Sequence, residues 1–67
     1  MLSARNQFKG TVKSVRLGAV MAEVVITVGD IEVVALISRS SAQKMKLKKG
    51  DKATAVVKAT EVMVSKP

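Results

Sequence analysis

Cysteine and histidine are both absent from the 67 residues of this chain. Without thiols there is no disulfide and no thiolate ligand. Without imidazole as well, the chain has no ordinary ligand set for zinc or another transition metal. Tyrosine and tryptophan are missing too, leaving Phe8 as the single aromatic residue. OB folds that bind single strands rely on aromatic platforms worth about 1–3 kcal/mol per base, and one phenyl ring cannot build such a surface. The acidic residues number five, Glu23, Asp30, Glu32, Asp51 and Glu61. They are scattered among strands and turns, and no pair has the spacing of a general acid and base, so the chain is not expected to be an enzyme. No apolar run approaches the roughly 20 residues that cross a bilayer, and the N-terminus lacks the basic-then-apolar order of a secretory signal. The expectation is a soluble, cytoplasmic protein.

What remains is aliphatic and basic. Hydrophobic residues make up 48% of the chain, nearly all of them Val, Ile, Leu, Ala and Met, a palette suited to a core or an interface. Twelve Lys and Arg against five acids give a net charge of +7 and a pI near 10.3, which favours anionic partners without saying which. Residues 1–67 make one domain, and a chain this short hides only about 60% of the surface its unfolded form exposes. With no disulfide or structural metal to staple it, association with further copies of itself is the expected source of extra stability.

Residues 7 to 17 read as a first strand whose apolar parity switches from Phe8 and Val12 to Val15 and Leu17. A bulge near Lys13-Ser14 accounts for the switch, and Gly10 inside the strand marks a bend or a close backbone approach. After a turn at Gly18-Ala19, Val20, Ala22, Val24, Ile26 and Val28 alternate with Met21, Glu23, Val25 and Thr27, the clearest period-two segment in the chain. Met21 and Val25 make its second face partly apolar, as a face that meets another subunit would be. Gly29-Asp30 is a tight hairpin turn of uncertain type. The third strand, 31 to 37, looks buried on both sides, and Ser38 then caps a short helix that runs to Lys46. Lys48-Lys49-Gly50-Asp51 turns the chain into two last strands at 52 to 58 and 61 to 65. Mainly β structure, in five strands with one short helix between the third and fourth, is the element order of a small OB-like barrel.

Three places carry candidate chemistry. Ser3-Ala4-Arg5-Asn6-Gln7 sets a hydroxyl and a guanidinium just before the first strand, Ser38-Arg39-Ser40-Ser41 adds hydroxyls, and Lys58 supplies a late ammonium. All are hydrogen-bond donors, the equipment needed to replace water around a small tetrahedral oxyanion. Each has a plainer alternative. Taken without a motif, Arg5 is more often a solvated surface charge, while Ser38 reads as a helix cap, Ser41 as an exposed first-turn residue, and Lys58 as a snorkelling side chain with a buried stem. The cap and ligand roles of Ser38 are compatible, since the free N–H groups at a helix start attract anions. The lysines at 44, 46, 48, 49 and 52 form a charged edge assigned to solvent and to long-range attraction of anions.

The opening peptide, the stretch Leu36-Ile37-Ser38-Arg39-Ser40-Ser41-Ala42-Gln43 and the closing stretch Ala55 to Val64 together resemble the molbindins. These are small proteins built from the transport-associated OB (TOBE) domain that bind molybdate or tungstate. The likeness covers essentially the whole chain, three segments in the same order and spacing. It implies an oxyanion site formed by Ser3, Arg5, Ser38, Ser41 and Lys58, with backbone N–H groups near Arg5 and Ala59 as helpers. Molybdenum or tungsten would enter only as the oxyanion, with no direct metal ligation and no organic cofactor. The resemblance also implies storage or homeostasis of the anion in the cytoplasm by a hexamer, a trimer of dimers, with Ser3, Arg5 and Lys58 of one chain meeting Ser38 and Ser41 of a neighbour. Gly29-Asp30 is a shorter turn than the Gly-rich loop of many relatives, and Phe8 stands where an aliphatic residue is usual. Two other functions fit the composition, a basic OB module gripping nucleic acid through phosphates, which the lack of aromatics disfavours, and a regulatory module that senses the anion.

Overall fold

The computed structural model describes residues 5–67. They form four strands, β1 (Asn6–Leu17), β2 (Met21–Val28), β3 (Ile31–Ser38) and β4 (Lys52–Val57). One helix, α1 (Arg39–Lys44), lies between β3 and β4, and a 3-10 turn, Ala59–Glu61, follows β4. The strands make a single antiparallel sheet in the order β3-β2-β1-β4. Long β1 is central and pairs with β4 along its first half and with β2 along its second.

The parity switch in β1 is a real bulge. Val12 pairs with Ile26 and Ser14 with Val25, so Lys13 is the extra residue. The bulge keeps Val12 and Val15 on the same side of the sheet, where Val12, Val24, Ile26 and Ala55 form the buried core and Val15, Val28, Val33, Ile37, Leu47 and Ala53 pack around it. Displaced outward, Lys13 reaches across β2 to form an ion pair with Glu32 of β3. Gly10 lies where β1 passes closest to β2. A Cβ there would collide with the Thr27 carbonyl oxygen and come within 2.9 Å of the Ile26 and Val28 methyl groups. At the β2–β3 hairpin Gly29 has φ +57° and Asp30 has no positive φ, which fits the II′ pattern with glycine first.

Three expectations change. First, β3 is an edge strand with one face open, not buried on both sides. Val34 and Leu36 are 60% and 68% exposed, because among the described residues no element covers the face they share with Met21 and Val25. Second, α1 stops at Lys44. Leu47 N–H donates to Ala42 C=O and Lys46 N–H to Gln43 C=O, the paired bonds of a Schellman close, with Lys46 in the left-handed region at φ 53°. Third, residues 61 to 65 are not a strand in this chain. The 3-10 turn leads Val62 off in extended conformation, with no ladder beyond it, so the sheet is four-stranded and open where a closed five-stranded barrel was expected.

Candidate functional site

The chain enters α1 through Ser38, the last residue of β3, which has the extended backbone of an N-cap (φ −68°, ψ 147°). Its Oγ accepts from the Ser41 backbone N–H at 3.1 Å and donates to Ser41 Oγ at 2.8 Å, with Ser40 Oγ at 3.3 Å. Three hydroxyls are thereby gathered at one corner. With the Ser38 hydroxyl donating to Ser41 Oγ, the Ser41 hydroxyl keeps a proton to donate elsewhere, and a donor whose oxygen already accepts a bond is polarised into a better donor. Arg39 fixes the corner against the β1–β2 turn. Its backbone N–H donates to Val20 C=O at 2.7 Å and its guanidinium to Gly18 C=O at 2.9 Å. Neither Arg39 nor Ser40 was singled out from sequence. The signal for Ser40 was its place two residues after the cap. That for Arg39 lay in a pairing between Met21 and Ser38, which spacing alone does not reveal.

The cations lie elsewhere. Asn6 pairs with Val57, so Arg5 and Lys58 flank the last rung of the β1–β4 ladder on neighbouring chain segments. Lys58 caps the 3-10 turn with its backbone and Ala59 opens that turn. Lys58 was expected to have a buried stem. It is exposed in the structure. Among the described residues the ion pairs are Lys13–Glu32 and Lys48–Asp51, so Arg5 and Lys58 carry positive charge that no carboxylate offsets. Ser3 lies outside the described residues.

The two groups of donors sit at opposite ends of the sheet. Arg5 and Lys58 mark the start of β1, whereas Ser38 pairs with Met21, one residue beyond the rung that joins Ala22 to Leu17 at the finish of β1. A straight 12-residue strand is roughly 40 Å long, comparable with the molecule's longest dimension of 36 Å. No single copy of the sheet brings the hydroxyl corner to the cationic end.

An open antiparallel sheet with a capped helix between its third and fourth strands, a hydroxyl corner at one end and cations at the other, describes a small, mainly β class of protein. The chain belongs to the TOBE domain family, whose model matches residues 2–64. It is 45% identical over 64 residues to molybdenum-pterin-binding protein 3 of Clostridium pasteurianum, covering 94% of each chain. Its fold superposes on a molybdate-binding protein from Sporomusa ovata with a TM-score of 0.94, at 44% identity and 98% coverage of both chains. A further structural relative is the cytoplasmic molybdate-binding protein ModG with molybdate bound. It has a TM-score of 0.83 and 46% identity, over 87% of this chain and 42% of that one.

Proposed function

We propose that this protein binds molybdate or tungstate in the cytoplasm and serves to store or buffer the anion. The site we assign is composite. Ser3, Arg5, Lys58 and the backbone N–H near Ala59 come from one chain, and Ser38 and Ser41 from another, in a hexamer built as a trimer of dimers. The observation that carries this reading is the Ser38–Ser41 hydroxyl pair, already bonded at 2.8 Å and set on an N-cap, in a chain whose relatives are named for binding molybdenum or molybdate. The separation of the two donor groups within one chain supports assembly as the means of uniting them.

The chemistry follows from charge and shape. A unit positive charge about 4 Å from a dianion gains roughly 8 kcal/mol at an effective dielectric of 20, before desolvation. A hydrogen bond to a charged group nets about 1.5–3 kcal/mol. Arg5 and Lys58 therefore set affinity, while Ser3, Ser38 and Ser41 set geometry and the preference for a tetrahedral oxyanion. Molybdenum needs no direct protein ligand in this scheme, because the donors address its oxygens.

Equilibrium dialysis with metal analysis tests the proposal, run with sulfate and phosphate as competitors and with the oligomer mass measured in parallel. The expected result is uptake of molybdate or tungstate that resists moderate chloride and appears only in the assembled protein. Uptake lost steeply with added salt, together with binding to single-stranded nucleic acid, would instead support a phosphate-gripping module.

A further inference from the structure

Gly18 opens a turn that closes on itself and is then held from outside. Its N–H donates to Met21 C=O at 2.7 Å, and a Cβ on it would approach that oxygen to 2.9 Å, so a side chain there would displace the turn. Two further bonds reach the turn from Arg39, the residue after the cap. Its backbone N–H donates to Val20 C=O at 2.7 Å and its guanidinium Nη1 to Gly18 C=O at 2.9 Å. Among the described residues no carboxylate pairs with this guanidinium. One residue thus grips the turn at two points. The corner it holds has little else to hold it. Helix α1 has six residues, buries Ala42 alone among them, and is far shorter than the roughly 12–15 residues at which a helix is even marginally stable by itself.

The consequence of that grip is selectivity. Molybdate and sulfate are both tetrahedral dianions at neutral pH and differ in size. Arg5 and Lys58 respond to charge and attract the two nearly alike. Discrimination is a difference of affinities, and for anions of one charge and shape it falls to donors whose spacing suits the larger and cannot contract around the smaller. A site of that kind needs its donors held to within about 0.5 Å by residues behind them. We infer that Arg39 is the positioning residue of the proposed oxyanion site. By clamping the turn at Gly18 it fixes the Ser38 and Ser41 hydroxyls, and so sets the preference for a large oxyanion over sulfate. Arg39 acts through those hydroxyls and donates nothing to the anion itself. The inference rests on the anion-binding reading above and adds to it the residue that governs selectivity.

Arg39→Met keeps an unbranched stem and the backbone bond to Val20 and removes only the side-chain clamp. In competition dialysis its molybdate affinity is expected to fall about tenfold and its sulfate affinity by less than about twofold, so that the ratio between them narrows. Arg39→Lys keeps a donor on a long stem and is expected to recover the parental ratio to within about threefold. An unchanged ratio overturns the inference, and so does a parallel loss for both anions, which marks a missing charge or a general loosening. Gly18→Ala displaces the gripped turn without altering a donor side chain. It is expected to narrow the same ratio in the parent and to add less than about twofold in Arg39→Met, since residues acting as one unit are not additive. Additive losses overturn the clamp. Hydrogen exchange at the Ser41 N–H, which donates to Ser38 Oγ at 3.1 Å, reads the clamp with no anion present. Exchange at least about tenfold faster in Arg39→Met, at matched global stability, is expected, and an unchanged rate overturns the inference. A parent protein that takes up no oxyanion loses the proposed function and the selectivity with it. A parent that takes up molybdate without preferring it to sulfate, or whose preference survives Arg39→Met, loses only the role of Arg39.

Discussion

The two ends of β1 are built on different terms. At its finish, Ser38, Ser40 and Ser41 hold one another within 2.8 to 3.3 Å, and Arg39 ties their corner to Gly18 and Val20. That end is organised by its own chain. At its start, Arg5 and Lys58 flank the last rung of the ladder, both exposed and with no carboxylate partner among the described residues. Hydroxyls are cheap to order, since a cap and a short turn align them. Two like charges side by side repel, and an anion facing them relieves that repulsion. One end of the sheet thus carries geometry and the other carries charge.

The largest effect should come from breaking the charged end. Lys58→Ala and Arg5→Ala are each expected to lower oxyanion affinity by more than about a hundredfold, from the loss of one charge-assisted contact near the upper end of its range. Neither should change the unfolding free energy of the unassembled chain, measured in denaturant, by more than about 0.5 kcal/mol, as for exposed surface positions. An affinity unchanged in dialysis would remove Lys58 and Arg5 from the site. Gly10→Ala, midway between the ends, should cost about 3 kcal/mol of stability, because the Thr27 backbone cannot yield to a Cβ as a flexible side chain could. Urea unfolding measures it, and a cost below about 1 kcal/mol would mean that β1 and β2 separate easily there.

At the organised end, stability and binding should move together. Ser38→Ala removes the cap and is expected to cost about 1 kcal/mol of folding free energy and about tenfold in affinity. A change in binding alone would mean that the cap is dispensable. Lys46→Gly should stabilise the fold by about 0.5–1 kcal/mol, since it relieves a left-handed backbone at the close of α1. The smallest effect is acid sensitivity of the 48–51 turn. The Lys48 ammonium and backbone N–H both bond the Asp51 carboxylate and hold its pKa below the ordinary aspartate range. A lowered folded pKa contributes stability that is fully present above the unfolded value of about 4. It is lost as pH falls through the lowered folded value. Thermal melts from pH 6 down to pH 2 should therefore show a slightly smaller acid loss for Asp51→Asn than for the parent.

Much of this was legible in the residues. The change of apolar parity between Val12 and Val15 has one economical cause, and the bulge at Lys13 is that cause. Gly10 inside a strand signalled a close approach, and Thr27 is what approaches. Ser38 before a helix-forming stretch signalled a cap, and its Oγ makes the bond. Each is a local rule acting over a few residues. The errors arose where a local signal had two meanings. Consecutive apolar residues from Val33 to Ile37 suit a strand covered on both faces by its own chain, and equally an edge strand awaiting a partner. Apolar Val62-Met63-Val64 reads as strand whether its sheet lies in the same molecule or in another. The early close of α1 escaped notice because a lysine occupies the left-handed position where glycine would have announced it. Of the candidate site, the residue types could be chosen from sequence, while Arg39 emerged only from its contacts with the β1–β2 turn and Ser40 from its approach to Ser38.

By itself the sequence determined where strands begin and bend, which residues face the core, and which side chains can donate to an anion. Those properties follow from side-chain alternation, backbone sterics and donor chemistry, all of them short-range. Only the tertiary structure decided that Ser38 and Lys58 stand at opposite ends of one sheet and that residues 61 to 65 do not join it. Strand order and register are set by pairings between residues far apart in the chain, each stabilised only by the partner it meets.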